Sequence, residues 1–97
     1  MNVGALCIRF RLPENTSLKG KRKVVKSITV RIANKFNVAV AEVSDQDLWQ
    51  LATLGVVCVS NDGRYANELL SKVADYVEVI REDAELLDYQ IELMHAF

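Results

Sequence analysis

The chain has 97 residues, of which 51% are hydrophobic, and a formal net charge of −1. This composition is typical of one compact domain and excludes a disordered or low-complexity chain. The two cysteines lack CxxC spacing and predict neither a disulfide framework nor a zinc site, and no apolar run is long enough to cross a bilayer. We therefore expect a single domain over residues 1–97 in a reducing, cytoplasmic compartment.

The net charge conceals a gradient along the chain. Residues 9–35 contain nine basic residues and one acidic residue, whereas residues 61–97 contain nine acidic residues and three basic ones. A polarised molecule can bind a polyanion through one side, so the low overall charge does not exclude nucleic acid as a partner.

The chain begins with a predicted strand and a long helix. Residues 2–12 alternate between two sets of side chains, which predicts a strand that stops at Pro13 and the polar turn ENTS. A helix is predicted over residues 17–36, with Ser17 as its N-cap and a left-handed end near Asn37. Its apolar residues recur at the spacing of a core-facing stripe: Leu18, Val24, Val25, Ile28, Ile32 and Phe36.

The first turn of this helix contains a glycine. Gly20 costs about 1 kcal/mol relative to alanine inside a helix. We attribute it to fraying of the first turn; the alternative is that another group must approach this turn closely.

The opposite face of the same helix is basic. Lys19, Arg22, Lys23 and Lys26 follow each other at steps of three, one and three residues, which brings their cationic side chains to one side of the helix. A solvated surface that only maintains solubility is the alternative to a binding role. With one further lysine from the same run, the candidate nucleic-acid-binding residues are Lys19, Lys21, Arg22, Lys23 and Lys26.

Two strands, a second helix and a last strand follow. Residues 38–43 and 48–60 are mostly apolar and flank the turn SDQD, which predicts a hairpin. Asn61 to Gly63 predicts the cap of the second helix, and residues from about 84 alternate again as a strand. The apolar residues of the helix recur at helical spacing, at Ala66, Leu69, Leu70, Val73 and Val77, and the last strand is expected to direct Leu87, Tyr89, Ile91 and Leu93 inward.

The resulting order is βαββαβ, which predicts an α+β, ferredoxin-like fold. In it, two helices cover one face of a four-stranded antiparallel sheet. We expect the first and third strands at the centre and parallel to each other, with the fourth strand beside the first. Arg9 and Arg11 would then lie next to Asp88 and Glu92 on the open face, as ordinary cross-strand charge pairs.

The third strand is apolar on both faces. Leu54, Val56 and Cys58 alternate with Val57 and Val59, a pattern typical of strands that are covered on both sides. A two-layer domain leaves one sheet face bare, so we expect a homodimer that packs through the sheet or its edge.

The run FNVAVAEVSDQDLWQLATLGVVCVS, preceded by SLKGKRKVVKSI, resembles the YlxP-like family of small bacterial proteins, a domain of unknown function. The resemblance spans nearly the whole chain. It implies a ferredoxin-like fold in a bacterial cytoplasmic protein. Members of this family are often encoded among translation and ribosome-maturation genes, which implies a ribosome- or RNA-associated role, and the family supplies no catalytic residue.

Three carboxylates cluster at the hairpin. Glu42, Asp45 and Asp47 could hold magnesium or act as a general base, but turn hydrogen bonds are favoured because no His or Lys lies nearby in sequence. Trp49 is interpreted as a hairpin anchor rather than a base-stacking platform. We predict no catalytic residue, no metal and no cofactor.

The sequence therefore favours a non-catalytic RNA- or ribosome-associated accessory protein that binds phosphates through its first helix. The alternative is a homodimeric regulatory or protein-interaction module that uses the sheet face to bind a partner or small metabolite. An acylphosphatase-like hydrolase ranks last, because the segment after the first strand has one glycine where a glycine-rich phosphate loop is needed.

Overall fold

The computed structural model describes residues 1–80 and 83–97 and has the element order βαββαβ, as predicted. The two helices lie on one face of a four-stranded sheet, which is the ferredoxin-like arrangement. Neither described helix combines the length and the hydropathy that a membrane span requires. The elements are β1 (Asn2–Arg11), α1 (Leu18–Lys35), β2 (Ala39–Ser44), β3 (Leu51–Ser60), α2 (Gly63–Ile80) and β4 (Glu85–His95).

The strands are arranged in the order β2-β3-β1-β4, and every neighbouring pair is antiparallel. The expectation that β1 and β3 are parallel is therefore wrong, although both are central. The crossover through α1 returns β2 parallel to β1, and the short hairpin after β2 then reverses the chain. As a result, β3 fills the gap between β2 and β1 and runs against both.

The core lies between the sheet and the helices. In both central strands the even-numbered residues face the helices, and Ile8, Phe10 and Leu54 are completely buried. α1 buries Val25, Ile28 and Ile32, which confirms its predicted apolar stripe. The residues that α2 buries are Ala66, Leu70, Val73, Ala74 and Val77.

α1 ends without the predicted left-handed residue. Phe36 has an extended backbone, and its N–H donates to the Ile32 carbonyl. Positive φ angles at described non-glycine residues occur at Asp45 and Phe97, so the prediction for Asn37 is wrong.

The pairing of β4 with β1 contains an irregularity. The register shifts between Arg9 and Phe10, so that Leu86, and not Leu87, lies opposite Phe10. Leu87 is 44% exposed, which corrects its predicted inward position. Tyr89 and Leu93 lie opposite the helix-facing residues Ile8 and Gly4, as predicted, but on this edge strand they are still 43% and 46% exposed.

This shift also decides the charge pairs on the open face. Arg11 forms an ion pair of 2.7 Å with Glu85, rather than with Glu92. Glu92 lies opposite Ala5, while Arg9 lies opposite Asp88. Charged residues on an exposed sheet face ordinarily form cross-strand pairs of this kind.

The two cysteines lie on opposite faces of the sheet. Cys7 is exposed on the open face, and Cys58 is buried among the core residues. Burial raises the pKa of the Cys58 thiol, and a backbone hydrogen bond at Gly4 offsets part of this effect. Cys58 therefore stays a protonated thiol near neutral pH, and the two side chains cannot approach each other.

We expect the thiol reagent DTNB to modify one cysteine per chain in the native monomer, because Cys7 is exposed on the open sheet face whereas Cys58 is buried and protonated. Both thiols should react after unfolding in guanidinium. A Cys7→Ser variant should lose the native reaction, and Cys58→Ser should keep it. Equal rates for the two thiols in the native protein would contradict this assignment of faces.

Candidate nucleic-acid interface

α1 begins at a capped and strongly basic end. The Ser17 hydroxyl oxygen accepts a hydrogen bond of 3.0 Å from the Gly20 N–H, which confirms Ser17 as the N-cap. The first turn contains no acidic residue. Cations at this position oppose the helix dipole, an effect of about 0.3–1 kcal/mol each when exposed. A bound anion would be favoured both by the free amides of the first turn and by the lysines that follow.

Four of the five candidate residues share the outer face of α1. Lys19, Arg22, Lys23 and Lys26 are all exposed. Within residues 1–80 and 83–97, none of the four forms an ion pair with an acid. We call these four side chains the cationic ridge.

One end of the cationic ridge has acids in its surroundings. Lys23 lines a shallow depression together with Glu14, Asn15 and Asp83. The two carboxylates reduce the positive field around Lys23, whereas the other three members of the ridge do not line this depression.

Lys21 does not belong to this surface. Its side chain is 1% exposed, and its ammonium lies 3.0 Å from Glu42 Oε2 and donates to the Asp45 carbonyl. Its assignment as a nucleic-acid-binding residue is therefore wrong. Spacings of four, three and four residues connect Lys21 to Val25, Ile28 and Ile32, so helical geometry directs it inward.

The hairpin acids are used within the protein. Glu42 is on the helix-facing side of β2, where its enclosed Oε2 receives no well-aligned hydrogen bond and is compensated by the Lys21 charge. Asp45 Oδ2 accepts a 2.6 Å hydrogen bond from the buried Thr53 hydroxyl, and its carbonyl accepts the Leu48 N–H. This confirms the turn interpretation of Asp45.

Asp47, the third acid, is exposed. The described residues contain no group of three His, Cys, Asp or Glu side chains arranged around a metal position. The three carboxylates therefore do not share one centre, although Lys21 contacts both the Glu42 carboxylate and the Asp45 main chain.

A second polar contact joins the loop before α1 to the hairpin. Asn15 Nδ2 donates both to the Ser17 carbonyl, at 2.7 Å, and to the Trp49 carbonyl. A methyl group on Gly20 would lie closer to Asn15 Oδ1 than van der Waals contact allows. The structure therefore supports the alternative explanation of Gly20, the close approach of another group to the first turn.

The same loop is held by Gln50. Its Nε2 donates to the Pro13 and Asn15 carbonyls, at 3.3 and 3.1 Å, and its main-chain carbonyl accepts the Leu12 N–H. Trp49 is consequently fixed through its backbone, while its side chain remains 54% exposed. The prediction that the Trp49 side chain anchors the hairpin is therefore wrong, because the hairpin is held here through the main chain.

Comparison with known proteins places the chain in a family. A family model described as "Protein of unknown function (DUF503)" matches residues 3–91. The chain belongs to this DUF503 family. It is also similar to the "Uncharacterized protein YlxP" of Bacillus subtilis (strain 168), with 38% identity over 66 residues, or 68% of this chain and 72% of that protein. The resemblance to a YlxP-like family of unknown function is confirmed.

Sequence reasoning missed two polar residues that build this end of the DUF503 domain. Asn15 was included only in a polar turn, and Gln50 only in a strand. Both side chains donate to main-chain carbonyls. Asn15 donates to those of Ser17 and Trp49. Gln50 donates to those of Pro13 and Asn15. The glycine in the first helical turn was the one local sign of close packing there.

We expect Gly20→Ala to destabilise this DUF503 domain by about 1 kcal/mol, because the new methyl group displaces Asn15 from its hydrogen bonds. In an Asn15→Ala background the same change should instead stabilise by up to about 1 kcal/mol, since only the helix propensity of alanine remains. Urea unfolding of the four proteins in this double-mutant cycle measures the reversal. An equal effect in both backgrounds would contradict the contact.

Proposed function

We propose that this DUF503 protein is a non-catalytic RNA-binding accessory protein of the bacterial cytoplasm that associates with a ribosomal subunit or another structured RNA. The observation that carries the proposal is the cationic ridge. Its four exposed side chains lie on one helix face and have no acidic partner among the described residues. The basic residues at the start of α1 lower the stability of the helix, and an anion bound at this helix end would compensate for that loss.

Binding would be electrostatic. Ammonium and guanidinium groups along one helix face can follow successive phosphates, and such contacts recognise the shape of the backbone rather than its sequence. Four neutralised phosphates give a slope of about −3 when the logarithm of affinity is plotted against that of salt concentration.

The open sheet face supports this choice of surface. RNA-recognition motifs stack bases on aromatic side chains of their central strands. Here the matching positions of β1 hold Ala5, Cys7 and Arg9, and those of β3 include Gly55 and Val57. The face offers no aromatic platform at its centre, so RNA contact is better assigned to α1.

A second candidate function uses that sheet face for protein contact. Val57 and Val59 are 41% and 64% exposed, and Val43, with 53% exposure, lies directly over Gly55. Around Ala5 and Cys7 the face forms a depression of about 240 Å³. Apolar, nearly flat surfaces of this kind are typical of protein contacts, which supports a homodimer whose groove could also hold a metabolite.

We expect Lys19→Glu, Arg22→Glu and Lys23→Glu together to weaken RNA and ribosomal-subunit binding by roughly 100-fold, because three phosphate contacts become repulsive. The matched control reverses Lys35, Arg64 and Lys72, which are exposed elsewhere, and changes the net charge by the same amount. Ribosome co-sedimentation and RNA titration at several salt concentrations measure the difference. Unchanged binding of the ridge variant, or equal loss in the control, would contradict the proposal.

We expect the wild-type protein to sediment as a dimer at micromolar concentrations, and Val59→Glu to shift it to monomer by placing a charge within the apolar sheet face. Val79→Glu is the matched control, because Val79 is exposed on α2 and lies outside the sheet. Wild-type protein at monomer mass throughout this range would contradict the dimer.

A further inference from the structure

The hairpin loop between β2 and β3 exposes two large apolar side chains. Trp49 is 54% exposed and its neighbour Leu48 is 49% exposed. With Arg11, Gln50 and Leu51 they line an open depression of about 510 Å³. Arg11 is the one charged side chain among these lining residues, and its guanidinium is held by Glu85.

The loop that carries Trp49 is rigidly supported. The Trp49 main-chain carbonyl accepts a hydrogen bond from the Asn15 side chain. Gln50, the next residue, is held through both its side-chain amide and its main-chain carbonyl. Within the loop, the Leu48 N–H donates to the Asp45 carbonyl. An aromatic ring on a fixed backbone can bind a flat ligand at little cost in conformational entropy.

These contacts also place Trp49 at the basic end of the molecule. Asn15 donates simultaneously to the Trp49 carbonyl and to the carbonyl of Ser17, the N-cap of α1. Lys19 follows two residues later, and the buried Lys21 fixes the first turn of α1 to the same hairpin. The indole and the cationic ridge are therefore parts of one connected end of the domain.

We propose that Trp49 is a stacking platform for an unpaired base of the RNA whose phosphates the cationic ridge holds, an inference that rests on the proposed function. Stacking needs an exposed aromatic face beside positively charged groups, and tolerates any base because every base has a π-face. The charge of Arg11 is compensated by Glu85, so the depression offers a phosphate no net attraction, and the exposed Asp47 on the same loop disfavours phosphates further. An uncharged base is the part of an RNA strand that fits this combination.

A stacking role for Trp49 predicts which kind of RNA the interface prefers. A fully paired stem offers phosphates to the ridge but no free base to the indole. A stem that continues into a single strand offers both, so the protein should prefer a junction between paired and unpaired RNA.

Trp49 is the single tryptophan of the chain, so its fluorescence reports the site directly. We would titrate wild-type protein with a fully paired RNA hairpin and with the same hairpin carrying an unstructured tail. Both should bind, and only the tailed RNA should quench the fluorescence. Trp49→Ala should weaken binding of the tailed RNA by roughly 5- to 150-fold, the range of one base–aromatic stack. Its binding of the paired hairpin should stay within about twofold of wild type.

Two variants control for indirect effects. Tyr65→Ala removes a similarly exposed aromatic ring on α2, outside the depression, and should leave both affinities unchanged, whereas Trp49→Phe keeps a ring and should retain most of the preference for the tail. Circular dichroism verifies that each variant is folded.

The outcomes separate the two proposals. If the wild type binds both RNAs and Trp49→Ala binds the tailed one equally well, the platform is refuted and the ridge stands. If neither RNA binds, both proposals fail. Fluorescence that changes with protein concentration and not with RNA would show that a second copy covers the indole, which also overturns the platform.

Discussion

The buried Lys21 ammonium is the contact on which this end of the molecule depends. It lies 3.0 Å from Glu42 Oε2 and donates to the Asp45 carbonyl, so one charge joins the first turn of α1 to β2 and to the hairpin loop. A charge removed from water must keep its partners, because losing one leaves the other uncompensated at a cost of about 3–5 kcal/mol when fully buried. The relative position of helix and hairpin is therefore strongly specified.

That fixed junction brings together groups with different chemistry. Ser17 caps α1, Asn15 connects the cap to Trp49, and Gly20 provides the space that Asn15 occupies. The cationic ridge and the exposed indole both extend from this polar framework. Neither would be preorganised if the loops moved independently, and preorganisation is what allows weak single contacts to give useful affinity.

The two-layer architecture keeps the proposed surfaces apart. The ridge lies on the outer side of the helix layer, whereas the exposed valines lie on the open face of the sheet. Phosphate binding by the ridge and self-association through the valines are consequently compatible in one molecule. Lys19 and Lys21 lie two positions apart on the same helix, but Lys19 is exposed to solvent whereas Lys21 is buried against the hairpin.

The sequence by itself determined the element order, the Ser17 cap, the apolar stripe of α1 and the four outward cations, because backbone periods of two and 3.6 residues fix which side chains share a face. The same periodicity aligns Lys21 with Val25, Ile28 and Ile32, yet Lys21 was predicted on the binding surface, because a lysine is rarely buried without a partner and its partner Glu42 could not be named from the sequence. Only the tertiary structure decided the contacts Lys21–Asp45 and Asn15–Trp49, and the shift that pairs Arg11 with Glu85. These contacts join distant segments whose approach depends on how the hairpin and β4 pack on the rest of the chain, and no local pattern encodes that geometry.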